Sequence, residues 1–363
     1  MSTLEEIRND RLRKRDILAA AGMDPYAATT ARTHDVAAVL AGFDELADAG
    51  KTVILAGRIM ALREHGGSIF VDLFDGSARM QVFFSRDIIG LHLFDLLKDA
   101  VDTGDFIEVT GTLFTTKRGA EAVEAAGWTI LTKTLQNIPT EHFGIKDEDQ
   151  RYRKRYLDML LDPKLRVLFD QKALFWEVTR RFLKNNGFLE VETPTLELTT
   201  GGAEARPFAT HHNDFDLDVY MRISIGELWQ KRLMAAGYPK TYEIGRAYRD
   251  EGTSPEHLQE FTNMEFYWAY ADYEAGMTLV QEMYRSIASE VFGTTAFTTR
   301  GHSFDLNDEW ERIDYVTEIK NRTGIDVTKA TEVEMAATAA ELGITFEGQN
   351  RERLTDTLWK YCR

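Results

Sequence analysis

A planar cation, carboxylates and aromatic rings recur at alternate positions in Thr241–Tyr273, TYEIGRAYRDEGTSPEHLQEFTNMEFYWAYADY. Arg249 offers a fork suited to bidentate contact with phosphate or carboxylate. Glu251 can accept from an exocyclic amine, Phe261 offers a flat face for a base, and His257 can reach a terminal phosphate. Glu265 and Tyr267 add a further carboxylate and a phenol. Together these groups could hold a nucleotide, although the chain has no GxxxxGK[ST] segment. The competing interpretation is a cross-strand ion-pair cluster of Arg249, Glu251 and Glu265, which spacing alone favours.

Two strands joined by a polar loop at Gly252–Gln259 must position these groups. Side chains alternate across a strand. Arg249 and Glu251 are therefore expected on one face near the end of the first strand, and Phe261, Glu265 and Tyr267 on one face of the second. Met264, Phe266, Trp268 and Tyr270 fall on the opposite face, expected to pack in the core. Sheltering a cation, carboxylates and aromatics together is costly unless a ligand or partner completes the pairing.

The chain has 363 residues, room for two or three domains. A hydrophobic content of 44% with 28% charged residues fits a globular enzyme. The net charge of −16 excludes a global basic field, so any nucleic-acid contact must use a local patch. The single cysteine, Cys362, excludes internal disulfides and a cysteine zinc site. The start, MSTLEEIRNDRLRKRD, lacks the apolar core of a signal peptide. No apolar run approaches membrane-spanning length, so a cytoplasmic chain with no membrane partner is expected.

Residues 4–21 are expected to form a helix carrying Arg8, Arg11, Arg13, Lys14 and Arg15, either as a solvated face or as phosphate contacts. Thr52–Met60, Ser68–Phe74, Ala78–Phe84, Phe106–Phe114 and Glu121–Leu131 have strand composition, with a helix at Leu91–Ala100. Three strands, a helix and two strands fit a five-stranded OB barrel. Such barrels bind single-stranded nucleic acid by stacking and hydrogen bonding, a role open to Phe70 and Gln81. A domain of residues 1–140 is thus expected, then a linker over 141–160 and a second domain over 161–363. In that second domain Asp162-Pro163 opens a helix running to Asn186, with Leu165, Phe169, Ala173, Trp176 and Leu183 on one apolar face. Phe188–Thr193 and Asp216–Ser224 are expected strands, and Ile225–Ala236 and Glu274–Phe292 expected helices. Residues 293–363 are expected to alternate short strands and helices. Thr199–Phe208, TTGGAEARPF, is a Gly-rich loop whose backbone can approach a ligand closely.

These segments resemble those of the class II aminoacyl-tRNA synthetases, closest to the bacterial-type lysyl-tRNA synthetases. FLEVETPTL (188–196) is similar to the first class motif, with its proline at Pro194. YEIGRAYRDEG and EFTNMEFYWAYADY resemble the second, with its Arg-x-Glu at Arg249 and Glu251. GGAEARPF and THHNDFDLDVYMRIS are lysyl-type in wording. The resemblance spans nearly the whole chain. It implies an α+β fold class, an N-terminal OB-fold barrel followed by an antiparallel-sheet catalytic domain. The implied activity is lysine–tRNA ligase, with ATP, L-lysine and tRNA(Lys) as substrates, magnesium as cofactor and a homodimer as the assembly.

By this resemblance Arg249 would be catalytic, contacting the ATP α-phosphate and the substrate carboxylate. Glu251 would meet the adenine amine, His257 the γ-phosphate and Phe261 the adenine ring. Gly202, Glu227, Glu265 and Tyr267 would bind lysine. Phe70 and Gln81 would bind the anticodon, with Glu121 or Glu124 as further contacts. The chain departs from the family in Leu258-Gln259 after His257, where Asn-Pro is usual, and in RISIGEL, one residue longer than in many relatives. It ends at YCR without the third class motif or the acidic residues expected to hold magnesium, which implies an N-terminal fragment with an incomplete active site. The alternatives are an aspartyl- or asparaginyl-type synthetase, a paralogue that lysylates protein or lipid, and a non-catalytic tRNA-binding protein.

Overall fold

Alternation of apolar and polar residues over positions 52–132 closes a barrel in the computed structural model, which describes residues 3–139, 144–254, 257–345, 348 and 350–362. The chain divides into two compact units, residues 1–166 and 167–363. In the first, α1 (Leu4–Ala20), α2 (Val36–Ala41) and α3 (Phe43–Asp48) precede the barrel. Its strands are β1 (Thr52–His65), β2 (Ser68–Phe74), β3 (Arg79–Ser85), β4 (Phe106–Thr115) and β5 (Glu121–Thr132). They close in the order β1-β2-β3-β5-β4, with β3 and β5 parallel and the other pairs antiparallel. The helices α4 (Arg86–Ile89) and α5 (Leu91–Ala100) fill the β3–β4 connection, as the OB pattern requires. Val53, Leu55, Val71, Val82, Ile107 and Ile130 point inward and are fully buried.

The N-terminal basic cluster is only partly a solvated face, and the structure gives most of it internal partners. Arg11 is buried and donates to the Thr134 carbonyl, the Thr103 carbonyl and Asn137 Oδ1. Lys14 and Lys133 both donate to Asp102, at 2.6 and 2.5 Å, and Lys133 also reaches Asp105 at 2.6 Å. Lys133 is 1% exposed, so this cation survives only because carboxylates and a carbonyl surround it. Arg13 and Arg15 pair with Asp10 and Asp16.

Two short helices, α6 (Glu148–Arg153) and α7 (Arg155–Leu161), occupy much of the expected linker. Arg151 and Arg155 both clasp the buried carboxylate of Asp158. Residues 140–143 of that linker lie outside the described residues.

The second unit begins within α8 (Pro163–Asn185). Its core is Val178, Leu183, Phe188, Tyr242, Leu279 and Met283, with Leu174, Phe175, Phe182 and the hairpin residues Met264, Phe266 and Trp268 packed against it. Of the five residues expected on the apolar face of α8, Leu183 alone is buried, and Val167, Leu168 and Phe169 are exposed. Apolar residues occupy more than one side of this helix, and the sheet selects the side through Leu174 and Val178.

The site is built on two small sheets. β10 (Lys240–Tyr248) pairs antiparallel with β11 (Glu260–Trp268) and parallel with β6 (Leu189–Glu190). β9 (Leu217–Met221) lies between β7 (Leu196–Glu197) and β8 (Ala209–His212). The strand expected over Asp216–Ser224 runs only from Leu217 to Met221, with Asp216 at a left-handed φ of 50° before it and a bend from Ile223 after it. The helix expected from Ile225 starts at Glu227 as α9 (Glu227–Ala235), since Ile225 and Gly226 turn into it. α10 (Tyr273–Ile287) runs into a π turn over Ala288–Phe292. Tyr270 is not core: it is fully exposed at φ 60°, turning the chain after β11. The remaining residues do not alternate. A hairpin, β12 (Ala296–Thr299) and β13 (His302–Asp305), precedes α11 (Tyr315–Thr323), α12 (Glu332–Glu341) and α13 (Arg351–Cys362), which share a core of Ile319, Met335, Leu354 and Leu358.

Candidate active site

The β10–β11 ladder fixes one polar face. Register sets Thr241 opposite Tyr267, Glu243 opposite Glu265, Gly245 opposite Asn263 and Ala247 opposite Phe261. Alternation puts these pairs on one side and Ile244, Met264 and Phe266 on the other, toward the core.

Glu265 is the centre of this face. It accepts from the Ile225 N–H at 2.9 Å and, at 3.5 Å, from Asn263 Nδ2, with the Tyr267 hydroxyl beside it. Burial, reinforced by the carboxylates of Glu227 and Glu243, pushes its pKa above the ordinary carboxylate range against the pull of those donors. The Tyr267 hydroxyl is pushed up by burial and by Glu265 and Glu227. Glu227 opens α9 and accepts from Lys231 at 2.7 Å. The Ile225 turn is held from behind by buried Gln230, which donates to the Ile225 carbonyl at 3.0 Å and accepts from Thr241 at 2.9 Å.

Gly202 closes the set. Its φ is +90°, and a Cβ there would lie 2.2 Å from Ser224 Oγ and 2.4 Å from Glu227 Oε2. Only glycine fits so close an approach in that conformation. The four residues expected to bind lysine, Gly202, Glu227, Glu265 and Tyr267, are therefore brought together.

The expected nucleotide residues divide. Arg249 follows the end of β10, where its N–H donates to the Gln259 carbonyl at 2.8 Å and continues the ladder for one step. Its Nε donates to the Ile223 carbonyl at 3.2 Å, and its guanidinium lies 5.2 Å from the centre of the half-buried Phe261 ring. Arg249 and Phe261 are thus joined. Glu251 does not share a strand face with Arg249: the strand ends at Tyr248 and Glu251 is exposed in the loop. His257 is exposed in the same loop, its Nδ1 2.7 Å from Ser254 Oγ. Among the described residues neither has a hydrogen bond or ion pair to Arg249. Nor, among them, does an ion pair join Arg249 to Glu251 or Glu265, so the purely structural cluster does not form.

Sequence reasoning missed Arg222, Glu243 and Thr193, which form a buried network under this face. The available signal was the alternation itself, since Glu243 shares parity with Arg249 and faces Glu265.

In the barrel, Phe70 and Gln81 line one cleft of about 770 Å³ with Arg63, Phe83, Phe114, Lys117 and Arg118. The rings of Phe70 and Phe83 lie 5.1 Å apart and those of Phe83 and Phe114 6.0 Å. An aromatic floor edged by cations suits bases and phosphates. Glu121 and Glu124 lie on β5, and Glu124 pairs in register with Phe83.

The model of the OB-fold nucleic acid binding domain matches residues 53–131, and that of the class II tRNA synthetases (D, K and N) matches residues 147–346. Fold and site together define a class II tRNA synthetase. The chain is 45% identical to a lysine–tRNA ligase of Roseiflexus sp. (strain RS-1) over 91% of its own length and 68% of the relative's. It is 42% identical to that of Moorella thermoacetica, covering 98% of this chain and 73% of the relative. For that of Bacillus subtilis the figures are 40%, 91% and 66%. The chain belongs to the bacterial lysine–tRNA ligase family.

Proposed function

We propose that the chain activates L-lysine with ATP and transfers it to the 3′ end of tRNA(Lys). The observation that carries this is the acceptor-rich pocket of Glu265, Tyr267, Glu227 and Gly202. A lysine brings two ammonium groups, and each needs an acceptor once water is displaced. An aspartate or asparagine substrate would call for donors where this pocket offers carboxylates.

In the first step the lysine carboxylate attacks the ATP α-phosphorus, giving lysyl-adenylate and pyrophosphate. A hydroxyl of the tRNA 3′-terminal ribose then attacks the adenylate carbonyl and releases AMP. Arg249 contacts the α-phosphate and the lysine carboxylate, offsetting charge as the bond forms. Phe261, already beneath that guanidinium, stacks on adenine. Glu251 and His257, exposed in the loop that follows Arg249, meet the adenine amine and the γ-phosphate. No protein nucleophile is needed, so the rate gain comes from positioning. Among the described residues no cluster of three or more His, Cys, Asp or Glu could hold a metal ion, so magnesium finds no cradle among them.

Phe70 stacks on an anticodon base and Gln81 reads one, with Lys117 and Arg118 on the flanking phosphates. The exposed apolar residues Val167, Leu168, Phe169 and Phe292 suit burial against a second copy of the chain, a homodimer. The tRNA substrate places this work in the cytoplasm; no helix among the described residues is long and apolar enough to cross a membrane.

Lysine-dependent exchange of pyrophosphate into ATP tests the first step. Exchange with lysine but not with aspartate or asparagine is expected once this chain is joined to a segment carrying the third class motif. Exchange supported by aspartate would overturn the assignment.

A further inference from the structure

Under the pocket lies an ion pair that the two-step reaction leaves unused. Arg222, just past β9, is 4% exposed and Glu243, on β10, is 3% exposed. Arg222 Nη1 donates to Glu243 Oε1 at 2.5 Å, and its Nε donates to the Arg246 carbonyl at 2.9 Å. Thr193 Oγ1 donates to Glu243 Oε2 at 2.6 Å, so both oxygens of this carboxylate are engaged. Glu243 stands directly opposite Glu265 in the ladder. Like charges opposed across a ladder destabilise it, and Arg222 supplies the counter-charge. The guanidinium rests on Gly245, where a Cβ would lie 2.3 Å from Nη2.

We propose that Arg222 is a positioning residue of the lysine pocket: by engaging Glu243 it withdraws that carboxylate from the substrate and leaves Glu265 as the acceptor on this ladder. The proposal rests on the lysine reading of the pocket. The charged and titratable groups facing Glu265 are Glu227 from α9, with Lys231 on it, Glu243 from β10, with Arg222 on it, and Tyr267 from β11. Of the two cations, Lys231 is largely exposed and screened, whereas Arg222 is buried and acts at full strength. Its charge reaches beyond Glu243. Glu197 on β7 is raised by burial, while Arg222 pulls it back down.

The consequence is a sign test. Without the Arg222 charge, Glu243 acts unscreened on Glu265, which then ionises less readily, and lysine binding fails at a higher pH. Without the Glu243 charge, Arg222 faces Glu265 unopposed. Glu265 then stays ionised to lower pH, while the cation competes with lysine and weakens binding at neutrality.

The experiment is calorimetric titration of the full chain with L-lysine from about pH 4 to 8, with thermal melts alongside. The variants are Arg222→Gln, Glu243→Gln and the double substitution. The expected result is an acid midpoint for binding that moves up by about one pH unit in Arg222→Gln, moves down in Glu243→Gln, and returns toward wild type in the double variant. Equal weakening at all pH values with unmoved midpoints would reduce Arg222 to a packing role and overturn the proposal. If Arg222→Gln fails to fold, Glu243→Gln decides alone, a downward midpoint supporting the proposal and an unmoved one overturning it. Wild-type chain that binds no lysine at any pH would defeat the pocket reading and this inference together, an outcome distinct from a binding wild type with unmoved variants.

Discussion

Glu243 and Glu265 face each other across the β10–β11 ladder, yet they are held differently: Arg222 and Thr193 take both oxygens of Glu243, while Glu265 accepts from the Ile225 amide and Asn263 Nδ2. One carboxylate has a cationic partner within the protein; the other accepts from neutral donors. Both burial and neighbouring carboxylates raise the Glu265 pKa in the free pocket. An arriving ammonium favours the ionised form, so lysine affinity is present above the raised pKa and lost as pH falls through it. Glu265→Gln is expected to weaken lysine about 30-fold, the low end for a half-buried charge partner, and to flatten this pH dependence. Titration of both proteins with lysine across the acid range checks it.

Gly202→Ala is expected to abolish lysine binding while leaving the melting temperature of the chain nearly unchanged. The new Cβ collides with Ser224 Oγ and Glu227 Oε2, and the left-handed backbone adds about 1–2 kcal/mol of strain. The loop relieves both by swinging away from the pocket. Binding and melting measured on the same preparation separate this from general misfolding.

Phe70→Ala is expected to weaken tRNA(Lys) binding by about 1–3 kcal/mol through loss of one stacked base. Replacing Lys117 or Arg118 should instead lower the salt dependence, each by about one phosphate contact. Gel shifts at several salt concentrations, with anticodon variants, distinguish the two effects. Indifference to the anticodon would remove Phe70 and Gln81 from the contact surface.

The barrel's buried cation makes a different prediction. Burial works against the Asp102 carboxylate, but hydrogen bonds and charge from Lys133 and Lys14 hold its pKa below the ordinary value of 3.8. A depressed carboxylate stabilises the fold above its unfolded pKa, and that stability is lost as pH falls through the folded one. Asp102→Asn should therefore lower the melting temperature at neutral pH, and the difference should vanish in acid. Lys133→Met leaves Asp105 buried without its nearest cation and should cost about 3–5 kcal/mol.

Much of this arrangement is legible in the sequence. The barrel strands alternate cleanly because one face is core and the other solvent. The same alternation aligned Phe261, Glu265 and Tyr267. Its limit is the strand end: Glu251 and Tyr270 carry the parity of a face, but the strands stop at Tyr248 and Trp268. Glu243 shares the parity of that face, but Arg222 and Thr193 reach it across long stretches of chain, and a lone residue carries no period to detect. Lys133, just past β5, has the spelling of a surface residue, and only the carboxylates around it make it a buried one. The exposed start of α8 has the same origin, since a helix with apolar residues on several sides leaves the choice to its neighbours.

The resting place of Arg222 on Gly245 binds distant positions into a single unit of change. A side chain at 245 would evict the guanidinium, an evicted guanidinium would strand Glu243, and a stranded Glu243 would turn on Glu265 across the ladder. Variation at any one of these sites is therefore expected to be tolerated only when the others move with it.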